Sequence, residues 1–306
     1  MLNKIKNIYK QEGTRRLFRH SIVKVFRSSG DFLLNTADRF SRIKPSRLFL
    51  SRYERQLLEK NRALQNKHKG RRCFVIGTGP SLKTQDLSPL AHEITFAMSA
   101  FWKHPIVEKW QPTYYCIADP LFFDGSEPTR DFFGSLKQRI HHTTFFVPVD
   151  GARIIQEQQL LSLERTHYVA FPPGLNYGSI TDINFVKRVP FVLSVSQLCI
   201  MAAIYMGCSP IYLLGLDHNW LSHIGHDQHF YEGLAGLEKH PEVRTLAEWG
   251  YQTAMECTLR LWRIYEMLSA YAHRKGIRIL NATNGGFLDV FERTSYEKII
   301  EEKALS

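Results

Sequence analysis

The sequence predicts an α/β protein: a Rossmann-like, mostly parallel sheet with helices on both faces, preceded by a basic helical arm. Three observations carry that prediction. Short β-rich apolar runs alternate with longer helical stretches beyond residue 70, a glycine-containing turn follows the first of those runs, and the excess positive charge is confined to the first 72 residues.

The arm comes first. Of 40 Lys/Arg and 29 Asp/Glu in the 306 residues, residues 1–72 hold 20 and 5, a net +15, and the rest of the chain hold 20 and 24, a net −4. Within residues 1–69, Ile5, Ile8, Tyr9, Leu17, Phe18, Ile22, Val23, Val25 and Phe26 interleave with Arg15, Arg16, Arg19, Lys24 and Arg27 at helical spacing. A basic amphipathic helix suits an anionic membrane surface, where each cation contributes about 1 kcal/mol. A solvated extension or a homo-oligomer contact fits the same pattern. "NKHKGRR" (66–72) reads as the linker, which gives an arm over 1–69, its membrane-binding part within 1–65, and a catalytic domain over 70–306.

The domain follows strand by strand: "CFVIG" (73–77), "ITFAM" (94–98), "TYYCIA" (113–118), "TTFFVP" (143–148), "HYVAF" (167–171), "PIYLLGL" (210–216) and "IRILNA" (277–282). Helices are expected near 127–140, 194–207 and 245–275. Strands that are apolar throughout, not alternating, are those buried on both faces of a parallel sheet. The longest apolar run, "FVLSVSQLCIMAAIYMG" (191–207), is short for a membrane span and carries Ser194, Ser196 and Gln197, so it reads as a buried helix. Leu259, Leu261, Trp262, Tyr265, Met267, Leu268 and Tyr271 form an apolar stripe in the last long helix, which Gly276 ends.

Composition narrows the function classes. Cys73, Cys116, Cys199, Cys208 and Cys257 show no CxxC spacing and read as reduced core thiols in a cytoplasmic protein. No secretory signal is visible, and neither arm nor body shows a nucleic-acid-binding module.

In a parallel sheet, ligands collect beyond the C-terminal strand ends. Polar residues leave five apolar runs there: Gly77, Thr78, Gly79 and Ser81 after the first, Ser99 after the second, and Asp119 after the third. Asp217 and His218 follow "PIYLLGL", and Asn281 and Asn284 follow the last run. The two glycines permit a tight turn and close approach of a ligand, Pro80 presets a helical turn, and Thr78 or Ser81 can donate to a phosphate or sugar oxygen. The run lacks the third glycine of a dinucleotide fingerprint and the GK[ST] of a P-loop, and a plain strand-to-helix turn is its other reading.

"VIGTGPSL", "SAFW", "DPLFF" and "GCSPIYLLGLD" together resemble the motif series of bacterial family 42 sialyltransferases. They are also similar to flagellin-modifying motility accessory factors and archaeal pterin diphosphokinase-like (MptE-like) proteins. The resemblance covers about residues 72–291. It implies a single Rossmann-like nucleotide-binding domain, sugar transfer with inversion by a histidine base, no required metal, and nucleotide or nucleotide-sugar binding at Gly77, Thr78, Gly79, Ser81, Ser99 and Asp119. Thr78 and Ser99 stand where the family has Asn, and a histidine-rich stretch replaces the family tyrosines. These departures point toward an activated sugar related to CMP-sialic acid.

That stretch, "GLDHNWLSHIGHDQHFYEG" (215–233), holds His218, His223, His226 and His229, four of 13 histidines within 12 residues. Neutral histidine can act as a general base near pH 7, His and Asp can ligate a divalent metal, and a polar loop can simply close over a ligand. His229 is the preferred base and His218 the second, with no metal ligands assigned. The expected function is transfer of a sugar, sialic-acid-like in one version, from a nucleotide donor to a surface glycan precursor at the cytoplasmic membrane face. Two alternatives stand: diphosphoryl transfer from ATP with Mg²⁺ at Asp119 or Asp217, and a non-catalytic nucleotide-binding scaffold.

Overall fold

The computed structural model describes residues 49–173, 179–222, 229–233, 248 and 250–304. The chain divides into two units, Met1–Leu50 and Ser51–Ser306. Most of the basic arm, and His223, His226 and Asp227, lie outside the described residues.

The second unit is built on one eight-stranded sheet, parallel throughout, in the order β5-β4-β3-β2-β1-β6-β7-β8. Its strands are β1 (Cys73–Ile76), β2 (Ile94–Met98), β3 (Tyr114–Cys116), β4 (Thr144–Pro148), β5 (Thr166–Val169), β6 (Ile211–Leu214), β7 (Ile279–Asn281) and β8 (Glu292–Arg293). The first seven coincide with the apolar runs, and β1, β2 and β6 are buried at every position. The eighth could not be read: two exposed charged residues carry no apolar period.

Among the described residues, six α-helices accompany the sheet: α1 (Arg52–Glu59), α2 (Glu127–Arg139), α3 (Ala152–Glu157), α4 (Val195–Tyr205), α5 (Tyr251–Arg274) and α6 (Tyr296–Ala304). The long apolar run is α4, a core helix started by a capping box between Ser194 and Gln197 and buried from Ser196 to Tyr205. Among the described residues, no helix is long and apolar enough to cross a membrane. Beside it runs α5, which turns Leu261, Ile264, Tyr265, Leu268, Tyr271 and Ala272 inward at spacings of three and four. Together α4 and α5 cover one sheet face. Opposite, the buried Tyr115 hydroxyl donates to the Ser99 carbonyl (2.7 Å) and accepts from the Trp102 amide (3.0 Å), while Trp102 meets Phe132 of α2 edge-on.

Residues 51–69, read from sequence as the end of the arm, belong to the second unit. Ser51 and Glu54 form a capping box on α1, and Leu58, Asn61 and Leu64 are buried. Asn61 Nδ2 donates to the carbonyls of Tyr168 (2.7 Å) and Phe185 (2.8 Å), two acceptors that would otherwise be orphaned in the core. The "linker" is likewise tied down, with Asn66, His68 and Gly70 donating to Tyr205, Met206 and Gly207. Basic composition masked the buried side of this segment.

Candidate functional site

The sheet order reverses once. Strands run 5-4-3-2-1 outward from β1 on one side and 6-7-8 on the other, so β1 and β6 flank the topological switch point. Connections leaving two neighbouring parallel strands in opposite directions open a crevice at their C-terminal ends. The two most distinctive segments of the sequence sit there: Gly77–Ser81 after β1 and Gly215–His218 after β6.

These two turns are docked onto each other. Gly77 N donates to Leu214 O (2.8 Å) and Gly79 N to Gly215 O (2.9 Å), extending the β1–β6 ladder beyond the strands. A Cβ on Gly77 would lie 2.4 Å from Gly215 O, and one on Gly79 would lie 1.8 Å from Asp217 Oδ2. The glycines therefore permit turn-against-turn packing. The expected helix after Pro80 is a single 3₁₀ turn, Pro80–Lys83, too short to supply a substantial dipole.

Asp217 is the clamp between the turns. It is 6% exposed, and its carboxylate accepts from Ser81 N (3.1 Å at Oδ1) and Ser81 Oγ (2.8 Å at Oδ2). Burial raises its pKa above the ordinary carboxylate range, against the opposing pull of the Ser81 hydrogen bonds and the Arg293 guanidinium. These two nucleotide-site candidates are thus hydrogen-bonded to each other.

His229 is held on the glycine loop. Its Nδ1 lies 3.0 Å from Thr78 Oγ1, and the next residue, Phe230, donates its amide to Thr78 O (2.9 Å). The imidazole stacks on Tyr231 with ring centroids 4.8 Å apart and planes 10° from parallel. Lys103 Nζ sits 4.9 Å from the Tyr231 centroid and 5.7 Å from that of Trp102, which adds a cation beside the loop.

His218 leaves β6 in the left-handed region, φ +47°, and Ser99 leaves β2 at φ +50°. Non-glycine residues are held there only when surrounding contacts compensate, and such positions concentrate at functional sites. The His218 ring is enclosed by Trp220 (4.7 Å), Tyr265 (5.4 Å) and Trp262 (5.8 Å). That burial pushes its pKa down to about 3, so the ring is neutral near pH 7, although an edge of the residue still reaches solvent. Its Nε2 lies 2.7 Å from Tyr265 Oη.

The remaining candidates are not gathered at the crevice. Asp119 is exposed at the end of β3, where its Oδ1 caps the turn Pro120–Phe123 by accepting from Leu121 N (3.0 Å). Asn281 is buried, and its amide closes its own loop, donating to Leu288 O (2.8 Å) and accepting from Thr283 N (3.0 Å). Among the described residues, no group of three or more His, Cys, Asp or Glu could hold a metal ion. Two participants escaped the sequence reading. Tyr265 looked like one more apolar stripe residue, although a tyrosine at such a position signals a hydroxyl needing a partner. Lys103 had no motif to mark it.

No protein-family model matches the chain, and no curated protein does. Among solved structures, it is similar to the MAf glycosyltransferase from Magnetospirillum magneticum AMB-1, with a TM-score of 0.47 and 14% identity. That match covers 82% of this chain and 41% of the other, so the chain spans less than half the length of that protein. The sialyltransferase CstII from Campylobacter jejuni, in complex with the substrate analogue CMP-3FNeuAc, gives a TM-score of 0.44 at 13% identity, covering 73% of this chain and 86% of that one. The monofunctional alpha-2,3-sialyltransferase Cst-I, also from Campylobacter jejuni, gives 0.45 at 15%, covering 72% and 79%. Likeness of this degree assigns no chemistry to the chain.

Proposed function

We propose that the chain is a glycosyltransferase that takes a sugar from a nucleotide donor and passes it to a surface glycan precursor, with His229 as general base. One observation carries the reading: His229 is hydrogen-bonded to Thr78 in the glycine turn at the switch point between β1 and β6. A nucleotide over that turn would present its reactive phosphate-sugar linkage beside an imidazole. In the productive tautomer, Nδ1–H is donated to Thr78 Oγ1 and Nε2 carries the basic lone pair. The acceptor hydroxyl gives its proton to Nε2, its oxygen forms a bond to the anomeric carbon, and the bond from that carbon to the phosphate oxygen breaks. The electron pair leaves on the nucleotide. Lys103, over the Tyr231 ring, supplies a cation beside the turn to balance that charge.

The diphosphoryl-transfer alternative needs a carboxylate open to Mg²⁺. Ser81 already engages both oxygens of Asp217, and Asp119 serves as a cap, so this donor set does not fit a resident cation well. The reading is tested by incubating the protein with CMP-, UDP- and GDP-linked sugars and following thermal shift and release of free nucleotide. A stabilising donor that is slowly hydrolysed supports it, and no response to any donor removes it. The membrane-binding segment was expected within residues 1–65; its part outside the sheet-bearing unit, residues 1–50, carries the remaining proposal, attachment to an anionic membrane surface.

A further inference from the structure

His218, the second base candidate, is wired into the protein at Nε2 through a chain of hydroxyls. Nε2 lies 2.7 Å from Tyr265 Oη, Tyr265 Oη is hydrogen-bonded to Ser196 Oγ, and Ser196 Oγ lies 2.7 Å from Ser194 Oγ. Ser194 is the N-cap of α4, and its oxygen accepts from the backbone amides of Ser196 and Gln197. Those two amides occupy both acceptor positions of the Ser194 hydroxyl. Its proton is therefore directed outward, to Ser196 Oγ or to the Tyr265 hydroxyl, which it also meets. Each hydroxyl has one proton to give, so direction propagates: the two serines donate toward Tyr265, directly or through Ser196, and Tyr265 donates to His218 Nε2. The first turn of α4, with its positive end, polarises the chain in the same sense.

We infer that this relay fixes His218 in the tautomer protonated at Nδ1, making the residue a neutral hydrogen-bond donor to a phosphate oxygen of the bound nucleotide. Nδ1 has no partner among the described residues, and His218 sits in the left-handed conformation directly after the Asp217 clamp, at the β6 side of the crevice. A ring that is neutral near pH 7 and has its Nε2 already accepting is poorly suited to take a proton. The two histidines thus divide the work. His229 removes the acceptor proton, and His218 donates to the leaving group, with Tyr265 and Ser196 as positioning residues. The tautomer assignment stands on the hydrogen-bond chain alone, whereas the choice of ligand rests on the nucleotide-sugar reading above.

The test has two arms. In ¹⁵N-histidine spectra of the full-length protein, with the His218 signals identified by their loss in His218→Asn, the proton is expected on Nδ1. Tyr265→Phe keeps the ring and deletes the donor, so the tautomer protonated at Nε2 should then gain population. A wild-type proton on Nε2, or an unchanged tautomer in Tyr265→Phe, overturns the relay. In the second arm, calorimetry with CMP and UDP compares His218→Asn, whose amide overlays Nδ1, with His218→Gln, whose amide overlays Nε2. Asn should keep affinity within about threefold and Gln should lose about tenfold or more, since a hydrogen bond to a charged group is at stake. Equal losses in both overturn the donor role. If neither nucleotide binds the wild-type protein, the nucleotide reading and the choice of ligand fail together, while the spectra still decide the relay.

Discussion

Ser81 gives both its backbone amide and its hydroxyl to the carboxylate of Asp217, joining segments 136 residues apart across the switch point of the sheet. The β1 and β6 turns are therefore one structural unit, and the candidate site is the surface of that unit.

Gly79 shows how tightly the unit is closed. A Cβ there would lie 1.8 Å from Asp217 Oδ2, so Gly79→Ala should destabilise the protein by about 1–3 kcal/mol or more, as overpacking does. The control is Gly134 in α2, where an added Cβ meets nothing within 4 Å and Ala should stabilise by about 0.5–1 kcal/mol. Urea denaturation of both variants checks the pair. Equal stability of the two would show that the turns are not in contact.

Asp217 predicts a pH signature. Its folded pKa lies above its unfolded value, so the native state binds the proton more readily. Stability from this group is present below the ordinary carboxylate pKa and is lost as pH rises through the raised folded value. Asp217→Asn can keep both contacts to Ser81, its carbonyl accepting from the amide and its NH₂ donating to Oγ. It should flatten the stability-pH curve in that window and retain or gain stability at pH 7. A variant whose curve still falls there with the wild-type slope would assign the titration to another group.

Truncation separates the arm from the body. Removing residues 1–50 should leave a folded protein, because the sheet-bearing unit begins at Ser51. Removing residues 1–65 strips Leu58, Asn61 and Leu64 from the core and leaves the Tyr168 and Phe185 carbonyls without their donor. Orphaned buried acceptors cost about 1–3 kcal/mol each, so this shorter protein should unfold at markedly lower urea or fail to express in soluble form. Full-length protein should sediment with anionic vesicles at low salt and release at high salt, and the 1–50 deletion should not bind. Salt-insensitive binding, or binding without the arm, would exclude the electrostatic attachment.

Most of the sheet was legible because its strands are apolar on both faces: "CFVI", "ITFAM" and "IYLL" stand out against polar surroundings whatever their tertiary partners. The candidate site was legible only as a set of positions. Sequence placed Ser81 and Asp217 at strand exits, but their pairing follows from the adjacency of β1 and β6, which no local pattern encodes. Asp119 and Asn281 occupy corresponding exits and spend their side chains on a cap and a loop, the ordinary use of such residues. Residues 51–69 were hidden by composition, since a capped helix with a basic outer face looks like more arm until Asn61 is seen in the core. The His218 relay was hidden because Tyr265 shares its helical period with purely apolar neighbours.

His229, held by Thr78 on the glycine turn, is the proposed base that removes the acceptor proton from a substrate bound beside that turn. The most direct measurement is His229→Ala assayed twice with the same nucleotide sugar: donor affinity by calorimetry and turnover at saturating donor. General-base catalysis contributes about a hundredfold to ten-thousandfold, so turnover should fall by about a hundredfold or more with affinity nearly unchanged. Turnover within a few-fold of wild type would contradict the account, as would a loss of affinity with kcat preserved.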